Sequence, residues 1–518
     1  MAGRIAAAAL KARLKEAGEL ALFDVRELGQ YAEAHLFHAI PLPCSRFELD
    51  LGRLAPRKAV AMVLYDESGE GVADRAAQRA QALGYSDVQV LEGGAQGWKA
   101  AGHTLFAGVN VPSKTFGELV EHAHHTPRIT AQDLQAMRER GDDFVIVDGR
   151  PLAEYRKMNI PGGICCPNGE LALRIAAIAP DPRTRVVVNC AGRTRSIIGA
   201  QTLIDFGIRN PVVALENGTQ GWFLAGYTLE NGADRRYPSP PQGEALERLR
   251  EQGRRFVERN AVPVVDARVA QAWLEDGTRT TYLFDVRTAE EYAAGHLQGA
   301  VHAPGGQLVQ ATDQWVGVRG ARMILVDAEG VRAPLMAHWL RQLGHEAVVL
   351  KEGEIVAAPL APDTCASLPV LAECAPRDLA DALQKGGTTL LDLRGSMAYR
   401  KEHIPGARWA VRPRLPQVHG PVVLVADETD LARAAAQDLR ESGCNDIRLL
   451  AGGIEAWRAA GLPLEASPEQ PARAECIDFI FFTHGRHEGD AAAARQYLAW
   501  ETQLLGQLDA DERGSFRL

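Results

Sequence analysis

Long apolar runs are missing from this chain of 518 residues. No stretch approaches the roughly 18 consecutive apolar residues that cross a bilayer, so no membrane role is expected. Cysteine is sparse, with eight in all. So few in so long a chain make no disulfide framework, and none of them stand at the Cys-x-x-Cys spacing of a zinc site. Basic charge is not in excess either: the formal net charge is −9, so nucleic acid is not an expected partner. The alanine-rich start is not a signal peptide, because Lys11, Arg13, Lys15 and Glu16 interrupt it at once; it reads as an amphipathic helix. These absences lead to a cytoplasmic protein with reduced thiols, and no metal or cofactor is expected. What remains is an ordinary globular composition, 46% hydrophobic and 24% charged, on a length that fits about three to five domains.

One unit is written four times. LFDVRELGQYAEAH (22–35) pairs with VLEGGAQGWKAAG (90–102), and IVDGRPLAEY (146–155) with ALENGTQGWFLAG (214–226). LFDVRTAEEYAAGHLQGA (283–300) pairs with VLKEG (349–353), and LLDLRGSMAYRKEHIPGA (390–407) with LLAGGIEAWRAAG (449–461). The opening aspartates, Asp24, Asp148, Asp285 and Asp392, are unevenly spaced. They lie far beyond solenoid periods of about 20–50 residues, so these are whole domains in tandem. Each unit alternates apolar strands with helices, and the helix after the second buried strand stops at Gly84, Gly207, Gly344 or Gly443. That pattern is α/β, a parallel sheet with helices on both faces. The domains are placed at 1–107, 127–232, 261–360 and 370–466, with a helical C-terminal tail at 467–518. Residues 108–126, 233–242 and 358–370 read as linkers. The proline-rich 233–242 divides the chain into a front pair and a back pair.

The chemistry concentrates in NCAGRTRSIIGAQ, residues 189–201. It follows the apolar run RVVVN and enters a helix, the edge where parallel sheets bind ligands. A lone cysteine at a strand end is commonly a small buried hydrophobe. Here its neighbours point elsewhere. Gly192 permits backbone angles that a side chain would forbid. Arg193 and Arg195 bring two cations, and the free amides of a helix start favour an anion. Together they favour a thiolate, so Cys190 is expected to be a nucleophile. Aligned from the helix-ending glycine, the other units offer Asp66 or Glu67, Asp327, and Ala426 or Asp427.

The motifs DVR…EY…H, IPGA, a cysteine loop after a central strand, and LEGG…GW…AG resemble the rhodanese family of sulfurtransferases over nearly all of residues 1–466. The resemblance implies four tandem rhodanese-like domains, with the second one catalytic. It makes Cys190 the residue that takes sulfane sulfur as a persulfide and passes it on. Ala191, Gly192, Arg193, Thr194, Arg195 and Ser196 become the substrate-binding loop. The first, third and fourth domains look inactive. In two-domain relatives the active cysteine lies in the second member, as it does in the front pair here. Implied partners are a small anionic sulfur donor, thiosulfate or similar, and a thiol or cyanide-like acceptor. A protein sulfur acceptor remains open.

Lesser candidates surround this loop. Cys165 and Cys166 could resolve or accept sulfur, against ordinary packing. Asp148 and Arg150 match the family's Asp-x-Arg pair, which usually holds the domain together. Asn159 replaces the histidine that the fourth repeat keeps at His403. Glu170 and Arg174 could line a pocket. Trp98, Trp222 and Trp457 read as packing residues. His122, His124, His125, His484 and His487 read as surface histidines, and Gly93, Gly94 and Gly97 as turn glycines, because no phosphate-loop lysine follows. Two other functions compete with sulfur transfer. One is a persulfide carrier or scaffold serving a protein partner. The other is a cysteine-dependent phosphatase, disfavoured because Cys190-x4-Arg195 is one residue shorter than a Cys-x5-Arg phosphate loop.

Overall fold

The apolar strands of the repeats form four separate five-stranded sheets with every strand parallel. The computed structural model describes residues 2–518. In the second repeat the strands are β1 (Arg128–Ile129), β2 (Phe144–Asp148), β3 (Ile164–Cys165), β4 (Arg185–Asn189) and β5 (Val212–Leu215). They are ordered β1-β5-β4-β2-β3, and the corresponding order recurs in the other three sheets. The middle of β4 shows why these segments are strands. Val186, Val187 and Val188 are completely buried, and a β-branched run covered on both faces suits the centre of a parallel sheet. The helix after β4 ends at Gly207, which has φ 86°, the left-handed stop that glycine adopts without strain.

Strand register settles which residues are equivalent. Asp24 lies opposite Tyr65, Asp148 opposite Asn189, Asp285 opposite Val326 and Asp392 opposite Val425. The residues that follow are therefore Asp66, Cys190, Asp327 and Ala426. Glu67 and Asp427 stand one place too late.

Two compact units contain the four sheets. One takes the residues up to Leu14 with Ala21–Val109 and Ala361–Phe482; the other takes Lys15–Leu20, Asn110–Leu360 and Thr483–Leu518. The first repeat thus clusters with the fourth and the second with the third, which corrects the front and back pairs expected from the proline-rich linker. Linker composition marks where the chain is irregular, while pairing follows from which faces fit. In the second unit the fit includes Arg332, completely buried, whose Nη1 donates to Glu170 at 2.9 Å and to Glu291 at 2.7 Å. Trp339 Nε1 donates to the Thr202 hydroxyl at 2.8 Å in the same contact.

Two further expectations change. Most of 108–126 is not linker but helix α1 (Val111–His124), with Val111, Thr115, Phe116, Glu118 and Val120 buried. The N-terminus opens with strand Gly3–Ile5, paired with Val88–Leu91, before its helix Ala7–Arg13. The two helices that matter most below are α2 (Thr194–Phe206) in the second repeat and α3 (Ala491–Gln507) in the tail.

Candidate active site

Cys190 follows the last residue of β4, and the short loop it begins leads directly into α2. The strand ends that carry the loop are braced. Arg150 donates from Nε and Nη2 to the Asp148 carboxylate at 2.8 and 2.6 Å, and Asn189 Nδ2 donates to it at 2.9 Å. Arg150 Nη2 also donates to the Met158 carbonyl at 2.7 Å. With both side chains buried, this pair is viable because its lone pairs and protons are satisfied. From below, the turn before Trp222 supports the loop: Thr219 N donates to the Cys190 carbonyl at 2.9 Å and Gln220 N to the Ala191 carbonyl at 3.1 Å. Gly218, at φ 52°, allows this approach, since a Cβ there would collide with the Cys190 carbonyl.

The loop's upper side is rich in donors. The backbone amides of residues 191–196 have no acceptor among the described residues. In the first repeat the equivalent donors are taken up by Asp66, whose carboxylate accepts from the amides of Ser68, Gly69 and Ala73 at 3.1, 2.6 and 2.9 Å. In the third repeat Asp327 accepts from Gly330, Val331, Arg332 and Ala333 at 3.0, 3.0, 2.6 and 3.2 Å. Two of the four loops thus hold an anion of their own at the position of Cys190. This is direct evidence that the strand–loop–helix geometry is an anion cradle.

On sequence alone Arg193 and Arg195 count as free cations. In the folded chain each carries a carboxylate. Arg193 donates to Glu118 at 2.6 and 2.9 Å and also reaches Glu121, both on α1. Arg195 donates to Glu154 at 2.8 and 2.7 Å. Burial raises the Glu154 carboxyl, but the charge and hydrogen bonds of Arg195 outweigh it and hold that carboxyl at about 2. Asn168 Nδ2 donates to the Arg195 carbonyl at 2.9 Å, and the Ser196 hydroxyl to the Arg193 carbonyl at 2.8 Å. These bonds fix the start of α2.

Helix α3 of the tail completes the surroundings. Lys114 on α1 donates from Nζ to Glu501 at 2.7 Å and to the Tyr497 hydroxyl at 2.6 Å. Thr194 Oγ1 donates to Glu501 at 3.4 Å. Gly192 meets this helix. Its φ is not among the positive values, so backbone freedom is not why it is glycine. A Cβ there would stand 2.5 Å from Glu501 Oε2 and 2.8 Å from Tyr497 Cε1. Cys190 is only 2% exposed beneath this cover.

The remaining candidates lie elsewhere. Cys165 and Cys166 sit in apolar surroundings, and burial pushes the first thiol up to about 12 and the second well above its ordinary value. Glu170 accepts from Arg174 Nε at 2.9 Å and from Arg332, so this pair belongs to the contact with the third repeat. Asn159 Nδ2 donates to the carbonyls of Tyr155 and Glu230, each at 3.3 Å; His403 Nδ1 bonds the Tyr399 carbonyl in the equivalent place. Trp98, Trp222 and Trp457 are buried, each donating Nε1 to a carbonyl six residues on. Sequence reasoning missed Lys114, Glu118 and Glu121, hidden in a supposed linker, and Arg486, Tyr497 and Glu501 in the tail. Their signal was weak: apolar spacing over 111–120 marks a helix, but nothing in it names the face that α1 packs against.

Comparison with known proteins agrees with this geometry. The model of the rhodanese-like domain matches residues 6–101, 130–225, 258–356 and 375–460. The crystal structure of a thiosulfate sulfurtransferase from Pseudomonas aeruginosa superposes with a TM-score of 0.92 and 44% identity, covering 100% of this chain and 99% of that one. A thiosulfate sulfurtransferase from Azotobacter vinelandii is 27% identical over 213 residues, 36% of this chain and 75% of that protein. An HTH-type transcriptional regulator from Mycobacterium tuberculosis is 34% identical over 105 residues, and the match covers 20% of this chain and less than half, 45%, of the regulator. With four matched domains and a full-length structural relative, this chain belongs to the rhodanese family.

Proposed function

We propose that this protein is a sulfurtransferase that carries sulfane sulfur on Cys190. The observation that carries the reading is the cradle. The loop that bears cysteine leaves its amides unbonded, while the loops of the first and third repeats fill theirs with Asp66 and Asp327. A thiolate, and then the persulfide anion, would take the same donors. In the first half-reaction the Cys190 thiolate attacks the outer sulfur of thiosulfate or a similar anionic donor. A Cys–S bond forms, the donor's sulfur–sulfur bond breaks, and the electron pair leaves with sulfite. In the second, a thiol or cyanide-like acceptor attacks the outer sulfur and the thiolate is restored. Dividing the transfer in two is the gain of covalent catalysis.

Under this reading the first, third and fourth domains do not transfer sulfur, because carboxylates or Ala426 replace the nucleophile. The eight free cysteines suit a reducing cytoplasm. No helix among the described residues is long and apolar enough to cross a membrane.

Loading with thiosulfate followed by intact-mass measurement tests the reading. One sulfur atom should be added, removable by cyanide as thiocyanate, and Cys190→Ser should take up none. Uptake by Cys190→Ser, or hydrolysis of aryl phosphates by the wild type, would overturn it. Loading that no small acceptor discharges would favour the persulfide carrier.

A further inference from the structure

The cations nearest the Cys190 loop are neutralised within the protein. Arg193 is held by Glu118 and Glu121, Arg195 by Glu154, and Lys114 by Glu501. Arg486, in the short turn His484–His487 ahead of α3, is different. It makes no ion pair among the described residues. Its Nη1 donates to the carbonyl and hydroxyl oxygens of Thr483 at 2.8 and 2.9 Å. Its guanidinium carbon lies 4.3 Å from the centre of the Tyr497 ring. Its Nε is buried without an acceptor. Burial lowers its pKa by more than the charges of the nearby Glu501 and Glu154 raise it.

Two contacts connect Arg486 to the loop. The Tyr497 ring on which it stacks is also the ring that abuts Gly192. Gln220 donates its backbone N–H to the Ala191 carbonyl at 3.1 Å and its side-chain Nε2 to the Arg486 carbonyl at 3.4 Å. Gln220 Oε1 is itself buried and unpartnered. Arg486 and Gln220 line a cleft of about 540 Å³, together with Phe223, Tyr227 and His487. Burial and the nearby Arg486 push His487 down to about 4, so it is neutral near pH 7 and adds no second positive charge to a lining that also includes Glu488.

We propose that Arg486 recognises the oxyanion end of the sulfur donor. The tail, rather than the loop arginines, then selects small donors bearing an oxyanion group. This deepens the sulfurtransferase reading and rests on it. Nη2 makes no hydrogen bond among the described residues, and a guanidinium N–H of this kind forms a charge-assisted bond to an anionic oxygen. The same group would hold the departing sulfite after the donor's sulfur–sulfur bond breaks, so sulfite should be a product inhibitor.

The test uses the full chain with Arg486→Gln and Arg486→Lys, folding being checked by thermal unfolding. A charge-assisted pair of this kind should raise the KM for thiosulfate about tenfold or more when removed, with kcat changed less than about threefold. Sulfite inhibition should weaken in parallel, and lysine should restore part of both. Alkylation of Cys190 separates this proposal from the one it rests on, because iodoacetate and iodoacetamide differ in charge but not in the bond formed. Arg486→Gln should slow the iodoacetate reaction about tenfold and leave the iodoacetamide reaction nearly unchanged. If the wild type never turns over thiosulfate yet this ratio falls, sulfur transfer is refuted and the anion site stands. If KM and the ratio both stay put in folded Arg486→Gln, the site is refuted. Should that variant not fold, the wild type decides: sulfite must protect Arg486 from phenylglyoxal, and an unprotected Arg486 overturns the proposal.

Discussion

Lys114 and Glu501 form an ion pair 2.7 Å long with side chains only 9% and 1% exposed. The pair joins a helix that the sequence presents as linker to a helix that it presents as a tail, directly over the Cys190 loop. Neither partner is stable there alone. Replacing Glu501 by alanine leaves an uncompensated buried ammonium and should cost about 3–5 kcal/mol. The double change Lys114→Met with Glu501→Leu should recover most of that loss, since an apolar pair of similar volume often matches a buried ion pair. Urea unfolding of the single and double variants measures the difference. Equal losses in both would show that the pair is not what holds the helices together.

Gly192→Ala tests the closeness of the tail to the loop. The added methyl would press on Glu501 and Tyr497, both held by Lys114, so they cannot yield freely. The expected cost is about 1–3 kcal/mol of overpacking strain. The expected consequence is faster reaction of Cys190 with a bulky aromatic disulfide, relative to small iodoacetamide, as α3 is displaced. An unchanged ratio of the two rates would place the tail too far away to matter.

Acid should release Arg195. The Glu154 carboxyl is held at about 2 in the folded chain against an ordinary 4.5. A depressed carboxyl contributes stability that is fully present above its unfolded pKa and is lost as pH falls toward its folded pKa. Glu154→Gln should therefore lower the melting temperature at pH 6, by a margin that shrinks below about 4.5 and vanishes near 2. A margin independent of pH across that window would refute the pairing.

Asp327→Ala should separate stability from activity. Four amides lose their shared acceptor, which should cost about 1–3 kcal/mol or more where the groups are buried. Sulfur turnover at Cys190 should stay within about twofold of the wild type. Cys166→Ala should likewise leave loading unchanged, because its thiol is buried and pushed far above its ordinary pKa. A large fall in turnover in either variant would give the third domain, or the second cysteine, a part in the chemistry.

Much of the architecture was legible in the residues themselves. Apolar strands, helix-stopping glycines such as Gly207, and the recurring Asp-x-Arg pair are local signals, and a local signal needs only its own neighbours to act. Cys190 stood out for the same reason: the strand end, the cysteine and the helix start are contiguous. Helix α1 was harder to see, because its apolar residues alternate with Lys114, Glu118 and Glu121, which turn out to be partners rather than solvent-facing groups.

Sequence alone therefore determined four parallel α/β domains and one cysteine-bearing loop, since both follow from periodicity and short-range geometry. Tertiary structure decided which domains pair, which carboxylates neutralise Arg193 and Arg195, and that α3 lies over Gly192. Those outcomes depend on the fit of surfaces far apart in the chain, where burying a charge requires a counter-charge or hydrogen-bond partner that no local pattern announces. The loop arginines illustrate this. Their sequence positions beside Cys190 suggested the anion site, but folding gave them carboxylate partners and left Arg486, nearly three hundred residues away in the chain, with hydrogen bonds to Thr483 but no ion pair among the described residues.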